Sequence, residues 1–138
     1  MSGNNQQTGK FTNFTIDEIK DYLAELKKLI LDGQYIISPR EENDAFGFEY
    51  RIDTAKEKEV LLNLQYTDFC YVVANRKPGY EHERLYVFCK EYELDHWGSL
   101  ELAEIYIKTN LTQTRSGTDF MVVISFHKRN KLLKYLFR

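Results

Sequence analysis

The hydrophobic period of this chain changes part-way along, from about 3.6 residues to 2, and that change decides the fold class. Up to Leu64 the apolar residues recur at helical intervals, and from Arg84 onward they alternate. Thr15 and Glu18 have the spacing of a capping box, in which two side chains satisfy two otherwise orphaned backbone N–H groups at a helix start. Ile16, Ile19, Leu23, Leu26 and Ile30 follow as one stripe, and Gly33 supplies the left-handed residue that ends a helix. Gln34–Ser38 reads as a short strand stopped by Pro39, and Glu41–Tyr50 as a short helix despite Gly47. Asp53 or Thr54 caps a further helix through Leu64, with Val60, Leu61 and Leu64 as its apolar side. Arg84–Lys90, Leu100–Leu111 and Phe120–His127 then read as successive strands, and 131–137 as a final helical turn or two. Helices followed by consecutive strands specify an α+β domain: N-terminal helices packed on one face of a small, mostly antiparallel sheet of three to five strands. Residues 1–13 lack periodicity and are expected to form a flexible tail, leaving 14–138 as a single domain.

A chain of 138 residues with 43% hydrophobic positions buries enough surface to fold without metal or disulfide staples. Cys70 and Cys89 form no CxxC pair and read as small buried hydrophobes. His82 and His96 fall in expected loops without compact ligand spacing, so no metal site is expected. The chain has no GxGxxG, P-loop or GxSxG, which leaves no basis for a small-molecule cofactor. No apolar run reaches the length of a membrane span or forms a signal-peptide core, so no membrane partner and a cytoplasmic location are expected. The net charge of −2 excludes a uniformly basic nucleic-acid binder. It also conceals a division: residues 1–104 carry 12 Lys and Arg against 20 Asp and Glu, whereas residues 105–138 carry 7 against Asp119 alone.

The basic part contains the last two strands. A hairpin centred on Ser116-Gly117 puts Tyr106 opposite His127 and Lys108 opposite Ser125. Those four residues, with Val123, then share one face, while Phe120, Val122, Ile124 and Phe126 point to the core. A His, a Tyr, a Lys and a Ser on the face not used for the core suit phosphodiester cleavage in RNA. Histidine exchanges protons near neutral pH, lysine stabilises charge developing on the phosphoryl group, and tyrosine bonds a phosphate oxygen or stacks on a base. RNA brings its own nucleophile, the 2′-OH, so no metal is required. The same residues would equally form the solvated face of an ordinary half-buried sheet.

The order of segments carries a resemblance. A helix running into LKKLILDGQY, a second ending VLLNLQYTDF, a strand RLYVF and a closing hairpin EIYIK…MVVISFHK together resemble the MqsR family of toxin ribonucleases over roughly Leu26 to Lys128. The resemblance implies a RelE-like microbial-ribonuclease fold and a metal-free endoribonuclease that cuts mRNA and is neutralised by a cognate antitoxin protein. It puts the family's hairpin tyrosine on Tyr106, the basic residue after Ser-Phe on His127 and a basic strand position on Lys108. The family's lysine after Asp-Phe is replaced here by the Cys70-Tyr71 pair, and its glutamine by Val87. Tyr71 and Tyr86 are then expected to contact substrate instead, with Ser125, Lys128 and Arg129 as further substrate-binding positions. A non-catalytic interaction domain of the same fold, binding a protein partner, is the other reading.

Overall fold

The structure, a computed structural model, describes residues 9–138. The expectation of a flexible tail therefore lies outside the described residues for 1–8, and within them it needs correcting. Lys10–Phe11 form an edge strand, β1, antiparallel to β3 (Phe69–Ala74). Helix α1 (Ile16–Leu31), strand β2 (Tyr35–Ile37) and helices α2 (Glu41–Glu49) and α3 (Thr54–Leu62) come between them. Strands β4 (Arg84–His96), β5 (Ser99–Gln113) and β6 (Asp119–Lys128) follow β3. The class is α+β, as expected, but the sheet has six strands rather than three to five, in the order β1-β3-β4-β5-β6-β2. Among the described residues only the β2–β6 pair is parallel. The strands not read from the sequence are β1, of two residues, and β3, whose first four residues are all buried and so show no alternation. No helix among the described residues is long and apolar enough to cross a membrane.

Local chemistry sets the helix ends. The capping box is formed, Glu18 N–H donating to Thr15 Oγ1 at 3.1 Å and Thr15 N–H to Glu18 Oε1 at 2.8 Å. At the other end Gly33 has φ +72, and the Gln34 and Gly33 N–H groups bond the Leu29 and Ile30 carbonyls, a Schellman motif. Helix α1 buries Ile19, Leu23, Leu26 and Ile30 as the periodicity implies, together with Tyr22 and Leu29, whereas Ile16 in the first turn stays exposed. These side chains meet Phe88, Ile105, Ile107, Met121, Val123 and Phe126 in the main core. The opposite face of the sheet carries a smaller cluster of Cys70, Tyr71, Val87, Cys89 and Tyr106, against which Leu133 and Tyr135 pack. The closing segment 131–138 is thus a non-helical strap, not the expected helical turns.

The β5–β6 register corrects one expectation and explains why another holds. The connection is a five-residue loop, 114–118, with Gly117 at φ +83, rather than a two-residue turn. Pairs nearest the loop, such as Thr109 with Val123, are therefore one residue out of the expected register. Ile124 is then an extra residue, a β-bulge, after which Lys108 faces Ser125 and Tyr106 faces His127 as expected. The bulge also reverses the alternation before it, so that Met121 and Val123 are core residues and Phe120 and Val122 are not.

Asn43 of α2 accounts for the bulge. Its side chain is buried, and its amide donates to the carbonyls of Ser38 and Ile124, both at 3.0 Å. Its oxygen accepts from Phe126 N–H at 2.8 Å. The irregular backbone on either side of Ser125 is thereby satisfied by a single side chain from a distant helix, which a buried backbone requires.

Candidate functional site

Strands β3 and β5 carry Tyr71 and Tyr106 on the face away from the helices, at the floor of a hollow of about 490 Å³. Six cations line it: Lys10 from β1, Arg40 just before α2, Arg76 and Lys77 after β3, Lys108 from β5 and Lys131 from the strap. Among the described residues no Asp or Glu lines this hollow. None of the six makes an ion pair among the described residues, whereas Lys90, Lys128, Arg129 and Arg138 all do. Lys10 lies over the Tyr71 ring at 4.6 Å and Lys131 over the Tyr106 ring at 5.2 Å, so both ammonium groups keep a favourable contact without being neutralised.

The electrostatics follow from that crowding. Burial, with repulsion from Arg40 and Lys131 and a partial offset from Glu42, lowers the Lys108 pKa from its ordinary value. An anion in the hollow would reverse the repulsion. Burial raises the pKa of Tyr71, and the nearby Tyr106 adds to the rise. Tyr106 is raised by burial too, partly offset by a hydrogen bond from Tyr71. Both phenols are neutral hydrogen-bond donors at neutral pH, not bases.

His127 is opposite Tyr106, their rings 5.4 Å apart. Its Nδ1 donates to the Lys128 carbonyl at 2.9 Å, leaving Nε2 as the proton-accepting nitrogen of the neutral ring. Nε2 is 3.7 Å from Glu42 Oε2, and the imidazole lines a separate shallow depression with Glu42 and Glu49. The structure thus brings Tyr106, Lys108, Ser125 and His127 onto one face, but only Tyr106 and Lys108 reach the basic hollow.

The other substrate-binding candidates divide. Tyr71 lines the hollow, and Ser125 is buried opposite Lys108. Tyr86 is on the helix side of the sheet, stacked on Tyr22 at 3.7 Å. Lys128 lies over the Tyr50 ring and 3.8 Å from Glu101, and Arg129 is bound to Glu104 by two hydrogen bonds. These last three serve packing and surface ties rather than the hollow. Sequence reasoning missed Lys10, Arg40, Arg76, Lys77 and Lys131. The excess of basic residues beyond position 104 pointed only to the last of them.

No family model, curated protein or solved structure matches the chain. Six unneutralised cations around two phenol donors give the hollow a positive potential that favours an anion. Among the described residues no group of three or more His, Cys, Asp or Glu side chains is arranged to hold a metal ion.

Proposed function

We propose that this chain is an RNA-cleaving toxin of a type II toxin–antitoxin pair, a metal-free endoribonuclease whose basic hollow holds the scissile phosphate of mRNA. The observation that carries the reading is the convergence of Lys10, Arg40, Arg76, Lys77, Lys108 and Lys131, without a carboxylate, beside Tyr71 and Tyr106. The resemblance of the closing hairpin to MqsR-type and RelE-like toxins points the same way, with mRNA as substrate and a cognate antitoxin protein as partner.

In this reading Lys108 stabilises the extra charge that develops on the phosphoryl oxygens, and Tyr106 donates a hydrogen bond to one of them. The substrate's 2′-OH attacks the adjacent phosphorus while a base removes its proton. The P–O5′ bond breaks, the departing 5′ oxygen takes a proton, and the products are a 2′,3′-cyclic phosphate and a 5′-OH. His127 is the proton-transfer group, reached by RNA that crosses Tyr106 from the hollow.

A second reading, an interaction domain that binds a protein partner without cutting RNA, draws on a different observation. Phe48, Trp97, Leu100 and Leu102 are all more than half exposed and lie in α2, the β4–β5 turn and the start of β5. RNA cleavage by wild type and His127→Ala, with and without EDTA, separates the readings. Cleavage that resists EDTA and is lost in the variant supports the ribonuclease. Equal cleavage by the variant removes His127 from the reaction, and loss with EDTA removes the metal-free mechanism.

A further inference from the structure

A second hollow of about 440 Å³ adjoins the first and shares Lys10 and Tyr71 with it. Its other walls are Thr12, Cys70 and four residues of the closing strap, Lys134, Tyr135, Leu136 and Arg138. The strap is fastened there to residues 67–69. Leu136 N–H bonds the Phe69 carbonyl at 3.1 Å, and the Arg138 guanidinium donates to the Thr67 carbonyl at 2.7 Å and to Asp68 Oδ1 at 3.0 Å.

This hollow differs in chemistry from its neighbour. The charge of Arg138 is met by the buried Asp68 carboxylate, and its guanidinium carbon lies over the Tyr135 ring, 3.7 Å from the centroid. Arg138 itself remains exposed, so the stack presents a planar, weakly hydrated surface rather than a free point charge. Tyr71, buried beneath Lys10, forms another part of the same wall. Lys134 is exposed and makes no ion pair among the described residues. Aromatic and guanidinium planes with one free cation are what a nucleobase and its phosphate require, and both planes take any base. The volume falls in the range of ordinary small-ligand sites.

We propose that the strap builds a base-stacking subsite, in which the nucleotide next to the phosphate in the first hollow lays its base against the Tyr135–Arg138 stack. This inference rests on the reading of the first hollow as an RNA phosphate site, and it assigns the strap a role in holding single-stranded RNA. Lys10, common to both hollows, would lie between the two bound nucleotide groups.

The test is fluorescence anisotropy of the full chain with a fluorescein-labelled 2′-O-methyl RNA octamer, which lacks the attacking 2′-OH and stays intact. A single abasic residue is moved along the octamer. Stacking of one base is worth about 1–3 kcal/mol, so removing the stacked base is expected to weaken binding about 5- to 150-fold at one position and little elsewhere. In Tyr135→Leu and in Arg138→Lys, which keeps the charge for Asp68 but loses the plane, the abasic profile is expected to flatten. Thermal melts identify a variant that does not fold, and the exposed Lys134→Glu, expected to weaken binding without altering the melt, gives an independent reading. A flat profile for wild type that binds the octamer overturns the subsite and leaves the phosphate hollow standing. Failure of wild type to bind the octamer at all overturns both.

Discussion

Replacing Asn43 by alanine tests whether one helix side chain sets the geometry of the last strand. The substitution removes the bonds to Ser38 and Ile124 carbonyls and the bond from Phe126 N–H, three in all. Each is worth about 0.5–1.5 kcal/mol net, and more where the backbone partner stays buried and unpaired. Asn43 is only 6% exposed, so water replaces these bonds poorly. Together they predict a loss of about 2–4 kcal/mol. For a domain of this size that is roughly a 6–16 °C fall in melting temperature. Chemical denaturation with an unchanged m-value would attribute the loss to stability rather than to a different unfolded state. Asn43→Asp sharpens the test, since it keeps the acceptor for Phe126 N–H but turns a carboxylate toward two carbonyls. It is expected to destabilise at neutral pH and to recover in part when acid protonates it. A melt for Asn43→Ala within about 0.5 kcal/mol of wild type would refute the claim that Asn43 holds the bulge.

Lys108→Met is expected to stabilise the free protein by about 0.5–1 kcal/mol while weakening RNA binding, because it removes a half-buried cation repelled by Arg40 and Lys131. The sign with pH follows from the lowered folded-state pKa. Between that value and the ordinary lysine value near 10.5 the unfolded chain binds more protons, so wild type gains on the variant as pH rises, which urea melts at several alkaline pH values would detect. Asp68→Ala leaves Lys90 and Arg138 without their shared carboxylate and loosens the strap, with an expected cost of about 3–5 kcal/mol in denaturant melts. Trp97 has φ +54 in the two-residue β4–β5 turn, next to Gly98 at φ +93, a geometry that suits Asn-Gly. Trp97→Asn is therefore expected to raise the melting temperature, less whatever its contacts with Phe48 and Arg51 contribute.

The helices were legible because their signals are local. Thr15 with Glu18, Gly33 and the Ile19–Ile30 stripe each act within a turn or two of the residues that they organise. The β5–β6 hairpin was legible for a less direct reason. The true loop is three residues longer than Ser116-Gly117, and the extra residue Ile124 compensates, so Tyr106 and His127 still meet. Nothing in the run Met121–Phe126 marks a bulge, since its cause is Asn43, 83 residues before Phe126 in sequence. The basic hollow was the least legible part. Lys10 lies in a segment with no periodicity, and Arg40, Arg76 and Lys77 border proline or loop residues where nothing predicts direction. The charge division along the chain pointed to residues 105–138, yet Lys128, Arg129 and Arg138 there are tied to Glu101, Glu104 and Asp68. What matters for an anion is which cations lack a carboxylate, and that depends on the fold.

The most direct test of the ribonuclease reading is mass spectrometry of the ends produced when the full chain meets mRNA, with and without translating ribosomes present. The expected products end in 2′,3′-cyclic phosphate and 5′-OH, and a single 2′-deoxy residue at a cleaved position should abolish the cut there. Intact mRNA under both conditions, or cutting that continues at the deoxy-substituted position, would contradict it.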